Sequence, residues 1–299
     1  MEDITYFDRY QQKVCTEKVY GDKALRWTYG TRSGRLLLSA LIQRAIFSRW
    51  YGWRMDRPAS RAKVLPFIQQ FELDPTEFLQ QPDEFQTFNE FFFRKLKPAA
   101  RPVNDNPARA VFPADGRHLC LPDLSDCNGL FVKGEMFDLG TLLQDDALTA
   151  QFRDGSLLLS RLCPVDYHRF HFPVAGRPGD AQLLQGPLFS VNPLALRQNI
   201  QILATNKRML TILETAQLGR VLLLEIGATC VGSICQTFMH GDDVTKGAEK
   251  GFFRFGGSST ITIFERGRMQ FADDLRENSA QHRELYARFG DELGTVVPQ

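Results

Sequence analysis

The sequence predicts an α+β fold: a single β-rich body over residues 111–299, preceded by a helical N-terminal region over residues 1–110. Three observations predict it. Upstream of about residue 110, apolar side chains recur at helical spacing. Downstream, short apolar runs are broken by glycine, proline and polar turns, which is the texture of strands. The 299 residues, 43% of them hydrophobic, suffice to bury one substantial core, and no repeat, low-complexity segment or long linker divides them.

In chain order, the N-terminus is acidic through Glu2, Asp3 and Asp8, without the layout of a signal peptide or the arginine-rich character of a transit peptide. Leu37, Leu38, Leu41, Ile42 and Ala45 then share a helical stripe, and Phe47, Trp50, Tyr51 and Trp53 follow among Arg44, Arg49 and Arg54. Aromatics interleaved with arginines suit a helix lying on anionic lipid. Arg35 and Arg44 project to opposite sides, and a helix packed on the domain explains the stripe equally well. No apolar stretch approaches the roughly 20 residues that span a bilayer. Val64, Phe67, Ile68 and Phe71 share a second helical face. Asp74-Pro75 reads as a helix start, and Thr87 with Glu90 three residues on reads as a capping box opening a short helix. Strands are expected over 155–162, 183–191, 210–214, 221–226, 230–238 and 260–264. The polar tail, 266–299, has only Leu275, Leu285, Tyr286 and Phe289 as apolar anchors, and its pattern assigns no element.

Charge and cysteine content narrow the function. A net charge of +1 gives no support to a nucleic-acid partner, which would need a concentrated basic surface. Six cysteines, at 15, 120, 127, 163, 230 and 235, form no CxxC pair or zinc-like spacing, which argues against a metal or disulfide framework and for a reducing compartment.

Three segments carry chemistry. Phe255-Gly256-Gly257-Ser258-Ser259-Thr260 places two residues without β-carbons before a serine, so the Gly257 carbonyl can be approached by the next hydroxyl. Attack by Ser258 would convert that amide to an ester, and β-elimination would free the upstream chain. The dehydroalanine left behind would hydrolyse to a pyruvoyl group with loss of ammonia. Such a run alone is more often a plain loop. Asp166-Tyr167-His168-Arg169-Phe170-His171 holds two of the five histidines in an apolar stretch. Each is either a base near neutral pKa or a satisfied core histidine. Asp115, between Pro113 and Gly116, is a turn aspartate or the orienter of a base. An aspartate, a histidine and Ser258 together supply the parts of a serine triad.

In order and separation, these segments resemble those of the phosphatidylserine decarboxylase proenzymes, a pyruvoyl-dependent family. Phe91-Phe92-Phe93-Arg94-Lys95-Leu96-Lys97-Pro98 with Arg101-Pro102, Leu188-Phe189-Ser190-Val191-Asn192-Pro193, the run from Ile226 through Cys230 to Ile234, and Lys246-Gly247 with Glu249 and Gly251 agree with the same family, over roughly 91–264. Many bacterial members carry Leu-Gly-Ser-Thr where this chain has Gly256-Gly257-Ser258-Ser259. Counting back from the strand that follows puts the reactive serine at Ser258 and the cut between Gly257 and Ser258.

The resemblance implies two stages. Asp115 orients His171, which takes the Ser258 proton during cutting, giving a β chain of 1–257 and an α chain starting at 258 held in one fold. The pyruvoyl cofactor made from Ser258 then forms a Schiff base with phosphatidylserine, carbon dioxide leaves, and His168 handles the proton that yields phosphatidylethanolamine. No metal is needed. Expected partners are phosphatidylserine in a membrane and the two cleaved chains, with a homodimer of the pair left open. Expected location is peripheral, at the cytoplasmic face of a bacterial cell membrane, with no signal peptide or transmembrane span. Arg117, Arg169 and Lys246 lie beside the motifs and are either head-group contacts or structural ion pairs. Competing readings are a pyruvoyl decarboxylase of another amino acid or modified lipid, a serine hydrolase that lacks the Gly-x-Ser-x-Gly elbow, and a non-catalytic member of the fold.

Overall fold

The computed structural model describes residues 4–17, 52–125, 138–189, 191, 193–196, 199–228, 234–255 and 258–298. Most of the apolar and arginine-rich stretch at 36–53, together with Asn192, Cys230, Gly256 and Gly257, therefore lies outside the described residues.

A large sheet forms the body. Its strands are β1 (Thr5–Asp8), β2 (Lys13–Thr16), β4 (Gly116–Leu121), β5 (Ser156–Leu162), β7 (Arg177–Pro178), β8 (Gln182–Leu184), β9 (Arg208–Thr215), β10 (Gly219–Ile226), β13 (Ser258–Phe264) and β15 (Glu284–Ala287). Their order is β2-β1-β15-β4-β5-β13-β10-β9-β7, with β8 also paired to β9. Two three-stranded sheets flank it: β11 (Ile234–Gln236), β12 (Glu249–Phe253) and β6 (Arg169–His171), and β14 (Met269–Phe271), β16 (Glu292–Val296) and β3 (Arg109–Val111). The described residues thus form an α+β, β-rich fold with few and short helices.

The central strands read as near-continuous apolar runs because both faces of the sheet are covered. Along β5, Leu157 and Leu159 enter one hydrophobic core and Leu158 the other. Along β10, Leu222 and Leu224 face the first, and Val221 and Leu223 the second. β13 is antiparallel to β5 on one side and β10 on the other.

The expected helices 64–71 and 87–92 form as α1 (Val64–Phe71), which buries Val64, Phe67 and Ile68, and α2 (Phe88–Phe92). The cap of α2 is Thr87, whose Oγ1 accepts from Glu90 N at 3.1 Å, and Glu90 Oε2 accepts from Gln86 N at 2.7 Å. Asp74-Pro75 opens a single 3-10 turn, Pro75–Glu77. The helical reading of 1–110 fails at its start, where β1 pairs in parallel with β15 and antiparallel to β2. Strands that short carry no periodicity of their own; their identity comes from distant partners. The same holds for the tail, whose 284–287 and 292–296 strands complete two different sheets and bracket, with β14, the helix Asp273–Ala280.

Candidate active site

Ser258 is the first residue of β13 and fully buried, paired across to Leu162 on β5. Just upstream, Phe255 N donates to Asn89 Oδ1 at 2.8 Å, so α2 anchors the chain entering the strand. His168 lies one residue before β6, and its backbone carbonyl accepts from Phe253 N at 2.9 Å, fastening it to β12. β12 can approach this closely because it carries Gly251, where a β-carbon would sit 2.7 Å from the Phe170 ring. Asp115 precedes Gly116 at the head of β4; a β-carbon at Gly116 would meet Arg161 O at 2.6 Å.

These elements join Ser258 to His168. Ser258 Oγ lies 3.3 Å from His168 Nδ1, and His168 Nε2 lies 2.9 Å from the Cys163 carbonyl. A carbonyl only accepts, so Nε2 carries the hydrogen and Nδ1 presents a lone pair to the hydroxyl. The ring stacks on Phe92 with centroids 3.8 Å apart, and Phe92 meets Phe255 edge-on at 4.8 Å. Burial, with Arg94 as a nearby cation, pushes the His168 pKa down to about 3. The ring is therefore neutral at pH 7.

Asp115 and His171 sit in a neighbouring arrangement. Asp115 is gripped by Arg101, whose Nε lies 3.0 and 2.9 Å from the two carboxylate oxygens and whose Nη2 lies 2.7 Å from Oδ2. It also accepts from Phe289 N at 2.8 Å. The His171 ring stacks on Phe289 at 3.6 Å, and its buried Nδ1 has no hydrogen-bond partner. Burial pushes its pKa down to about 3 as well. Among the described residues no hydrogen bond runs from Asp115 to His171 or from His171 to Ser258.

The cations beside the motifs all have protein partners. Arg117 pairs with Asp166, Arg169 holds Glu249 through two 2.8 Å bonds, and Lys246 Nζ donates to the carbonyls of Asn106 and Arg109. A surface cavity of about 310 Å³ adjoins Asp105, Arg109 and Lys246 but includes neither Ser258 nor the two histidines. Sequence reasoning did not single out Arg101 as the partner of Asp115, the Cys163 carbonyl behind His168, or the Phe92 and Phe289 stacking rings. Arg101 and Phe92 lie in the 91–102 segment that resembles the family, yet nothing in their spacing names their partners.

A buried serine hydroxyl bonded to a neutral histidine, at the head of a central strand of an α+β fold, is an arrangement in which a histidine can accept a serine proton, as in enzymes of the serine-nucleophile class. Comparison with known proteins narrows the class. The sequence profile described as phosphatidylserine decarboxylase matches residues 88–295. The phosphatidylserine decarboxylase proenzyme of Chlamydia muridarum is 42% identical over 98% of this chain and 97% of the relative. Proteins of the same name from Fusobacterium nucleatum and Desulfitobacterium hafniense are each 38% identical, over 98% and 97% of this chain and 98% of each relative. The chain belongs to the phosphatidylserine decarboxylase family and is a decarboxylase. The match extends the 91–264 resemblance through most of the tail.

Proposed function

We propose that the chain cuts itself between Gly257 and Ser258 and then converts phosphatidylserine to phosphatidylethanolamine and carbon dioxide. The observation that carries this is the hydrogen bond from Ser258 Oγ to His168 Nδ1, in a chain whose relatives bear the name proenzyme. The Ser258 proton passes to a histidine Nδ1 as Oγ bonds the Gly257 carbonyl carbon; the histidine then returns it to the Ser258 nitrogen as the amide C–N bond breaks, leaving an ester and a free amine. Loss of the Ser258 α-proton then breaks the ester C–O bond, leaving a Gly257 carboxylate and dehydroalanine. Water replaces its nitrogen, which leaves as ammonia. In the conformation seen, His168 reaches the hydroxyl directly. His171, which bonds neither Asp115 nor Ser258 in this conformation, is proposed as the base of the cut after a rearrangement that turns its unpartnered Nδ1 toward Ser258 and lets Asp115 orient it.

The surroundings of residue 258 fit a small planar keto group: the residue is buried and faces an uncharged nitrogen of His168, whose ring stacks on Phe92. Such a pyruvoyl group supplies a carbonyl for the substrate amine and an electron sink for the departing carbon dioxide. Burial of residue 258 keeps water from the reacting carbon, and His168 Nδ1 holds the proton that the product carbon requires. No helix of the described residues is long and apolar enough to cross a membrane. We place the enzyme peripherally at the cytoplasmic face of a bacterial membrane, where its substrate lies.

Intact mass under denaturing conditions, with and without Ser258→Ala, tests the cut. The wild type should give a fragment matching residues 258–299 with its first residue in pyruvoyl form, and Ser258→Ala a single uncut chain. Decarboxylation of phosphatidylserine in mixed vesicles, against free serine, tests the substrate. An uncut wild type that still decarboxylates would end the proposal. In the same assay His171→Ala and Asp115→Ala should cut more slowly than His168→Ala; the reverse order would make His168 the base.

A further inference from the structure

Two residues past α2, Arg94 is a buried cation, 5% exposed, that holds no carboxylate among the described residues. Its Nη2 makes only long bonds, 3.3 Å to the Val165 carbonyl and 3.5 Å to the Asp166 carbonyl. Nε and Nη1 are buried without a partner, and no other arginine of the described residues leaves two guanidinium nitrogens in that state. Its neighbours differ. Arg101, Arg117, Arg161 and Arg169 each hold a carboxylate. Arg208, also buried, spends Nε and both Nη atoms on backbone carbonyls. The ring centroids of Phe78 and Phe91 lie 4.9 and 5.0 Å from the Arg94 guanidinium carbon and offset part of its lost hydration. Burial pushes its pKa down to about 10, so the charge persists at pH 7.

This cation lies beside the reacting serine. Its charge acts on His168, whose Nδ1 is 3.3 Å from Ser258 Oγ and whose ring stacks on Phe92. On the same helix as Phe92, Asn89 holds Phe255 N at 2.8 Å, two residues upstream of Gly257. A buried cation with unfilled donors costs stability that an apolar side chain of similar volume would not. Its fork matches a carboxylate, which a guanidinium binds through two parallel N–H bonds. Two carboxylates arise in the proposed chemistry: the one that the cut leaves on the upstream chain, and the one that the substrate brings. The first forms on a chain already fastened here by Asn89, and it persists. The second must leave as carbon dioxide, and a cation gripping it in the ground state would slow its loss. We propose that Arg94 is a carboxylate-binding site, and that the carboxylate created by the cut fills it in the mature enzyme. Pairing then favours the cut chain over the uncut one. This rests on the proposed cut between Gly257 and Ser258.

The test uses the full chain and reads the ¹H–¹⁵N signal of the Arg94 Nε–H, assigned by its loss in Arg94→Lys. In Ser258→Ala, which stays uncut, added formate should move that signal downfield and saturate. In the cut wild type the signal should already lie downfield, and formate should move it no further. Arg94→Met should raise the melting temperature of the Ser258→Ala chain, which sheds a stranded cation, and lower that of the cut enzyme, which loses an ion pair. Shifts of the same sign in both would mark a structural arginine and overturn the proposal. So would a signal that moves neither with formate nor on cutting. A folded Arg94→Met chain that does not cut would overturn it too, since the cation would then act before any carboxylate exists. A different pair of results would keep the carboxylate site but make the substrate its source: formate binding to the cut enzyme, and a KM for phosphatidylserine raised by Arg94→Met with inhibition by phosphatidylethanolamine unchanged. Should Arg94→Met not fold, the Nε–H comparison of uncut and cut chains decides, since it needs no substitution at the site. If intact mass shows the wild type uncut, the parent reading fails instead, and the formate response still decides whether Arg94 binds a carboxylate.

Discussion

Arg101 shows what a single residue contributes that its sequence neighbours do not announce. Its fork covers both oxygens of Asp115, its Nη1 reaches Glu77 Oε2 at 3.1 Å, and the two side chains of the Asp115 pair are 8% and 2% exposed. Removing one partner of so buried a pair strands the other charge, so Arg101→Met should lower unfolding free energy by roughly 3–5 kcal/mol in urea titration. Arg101→Lys should recover only part, because an ammonium cannot bond both oxygens at once. A loss below about 1 kcal/mol, the size of a surface pair, would mean that Asp115 is held by Phe289 N and water instead. Asp115, His168, His171 and Ser258 were all legible as candidates, since a serine after two glycines, two histidines in an apolar run and a turn aspartate each have a chemistry of their own. Which histidine meets the serine was not. That depends on the three-residue spacing falling across the start of β6, and only the strand's pairing with β12 decides which ring faces β13.

At the scale of elements, legibility followed length and pattern. β5, β10 and β13 were readable because apolar runs bounded by glycine or polar turns have few other uses, and α1 because four residues share one face. The expected strand at 183–191 shrinks to β8, Gln182–Leu184, beyond which the described residues of that stretch pair with no neighbour in the large sheet. The short strands β1, β14, β15 and β16 could not be read, because their stability is almost wholly that of the sheets they join. The helix α2 is the element nearest the chemistry, with Phe92 on His168 and Asn89 on the strand entrance. Thr87→Ala should cost about 1 kcal/mol through the lost cap. Because α2 carries both contacts, cutting should slow as well, measured as the fraction of 258–299 fragment over time. Full-rate cutting in a variant destabilised to that extent would show that the helix end is uncoupled from the site.

For the whole molecule, acidity is the sensitive variable. His118, His168 and His171 are each buried neutral, with burial pushing each pKa from 6.5 down to about 3. Between those limits the unfolded chain binds three protons that the native chain does not, so stability falls as pH drops below about 6.5. The slope is about 1.4 kcal/mol per pH unit for each histidine, or about 4 for all three. Against a total of about 5–15 kcal/mol, unfolding is expected within a few units, above pH 3. Urea midpoints from pH 7.5 to 4 check this. His118→Gln, which changes a ring bonded to Ser160 rather than to the site, should flatten the slope by about a third. A midpoint independent of pH would refute the buried neutral assignment. The placement of β13 bears on when the chain becomes active. It lies between β5 and β10, and residues 258–298 also supply β15 against β1 and β14 and β16 beside β3. The cut proposed at its head would therefore await closure of the sheet by residues 258–298, since Ser258 is placed only when β13 sits between β5 and β10. On that proposal, self-cutting would work as an inspection step: a misassembled chain would never acquire its reactive group, and the two fragments, sharing one sheet, would part only by unfolding.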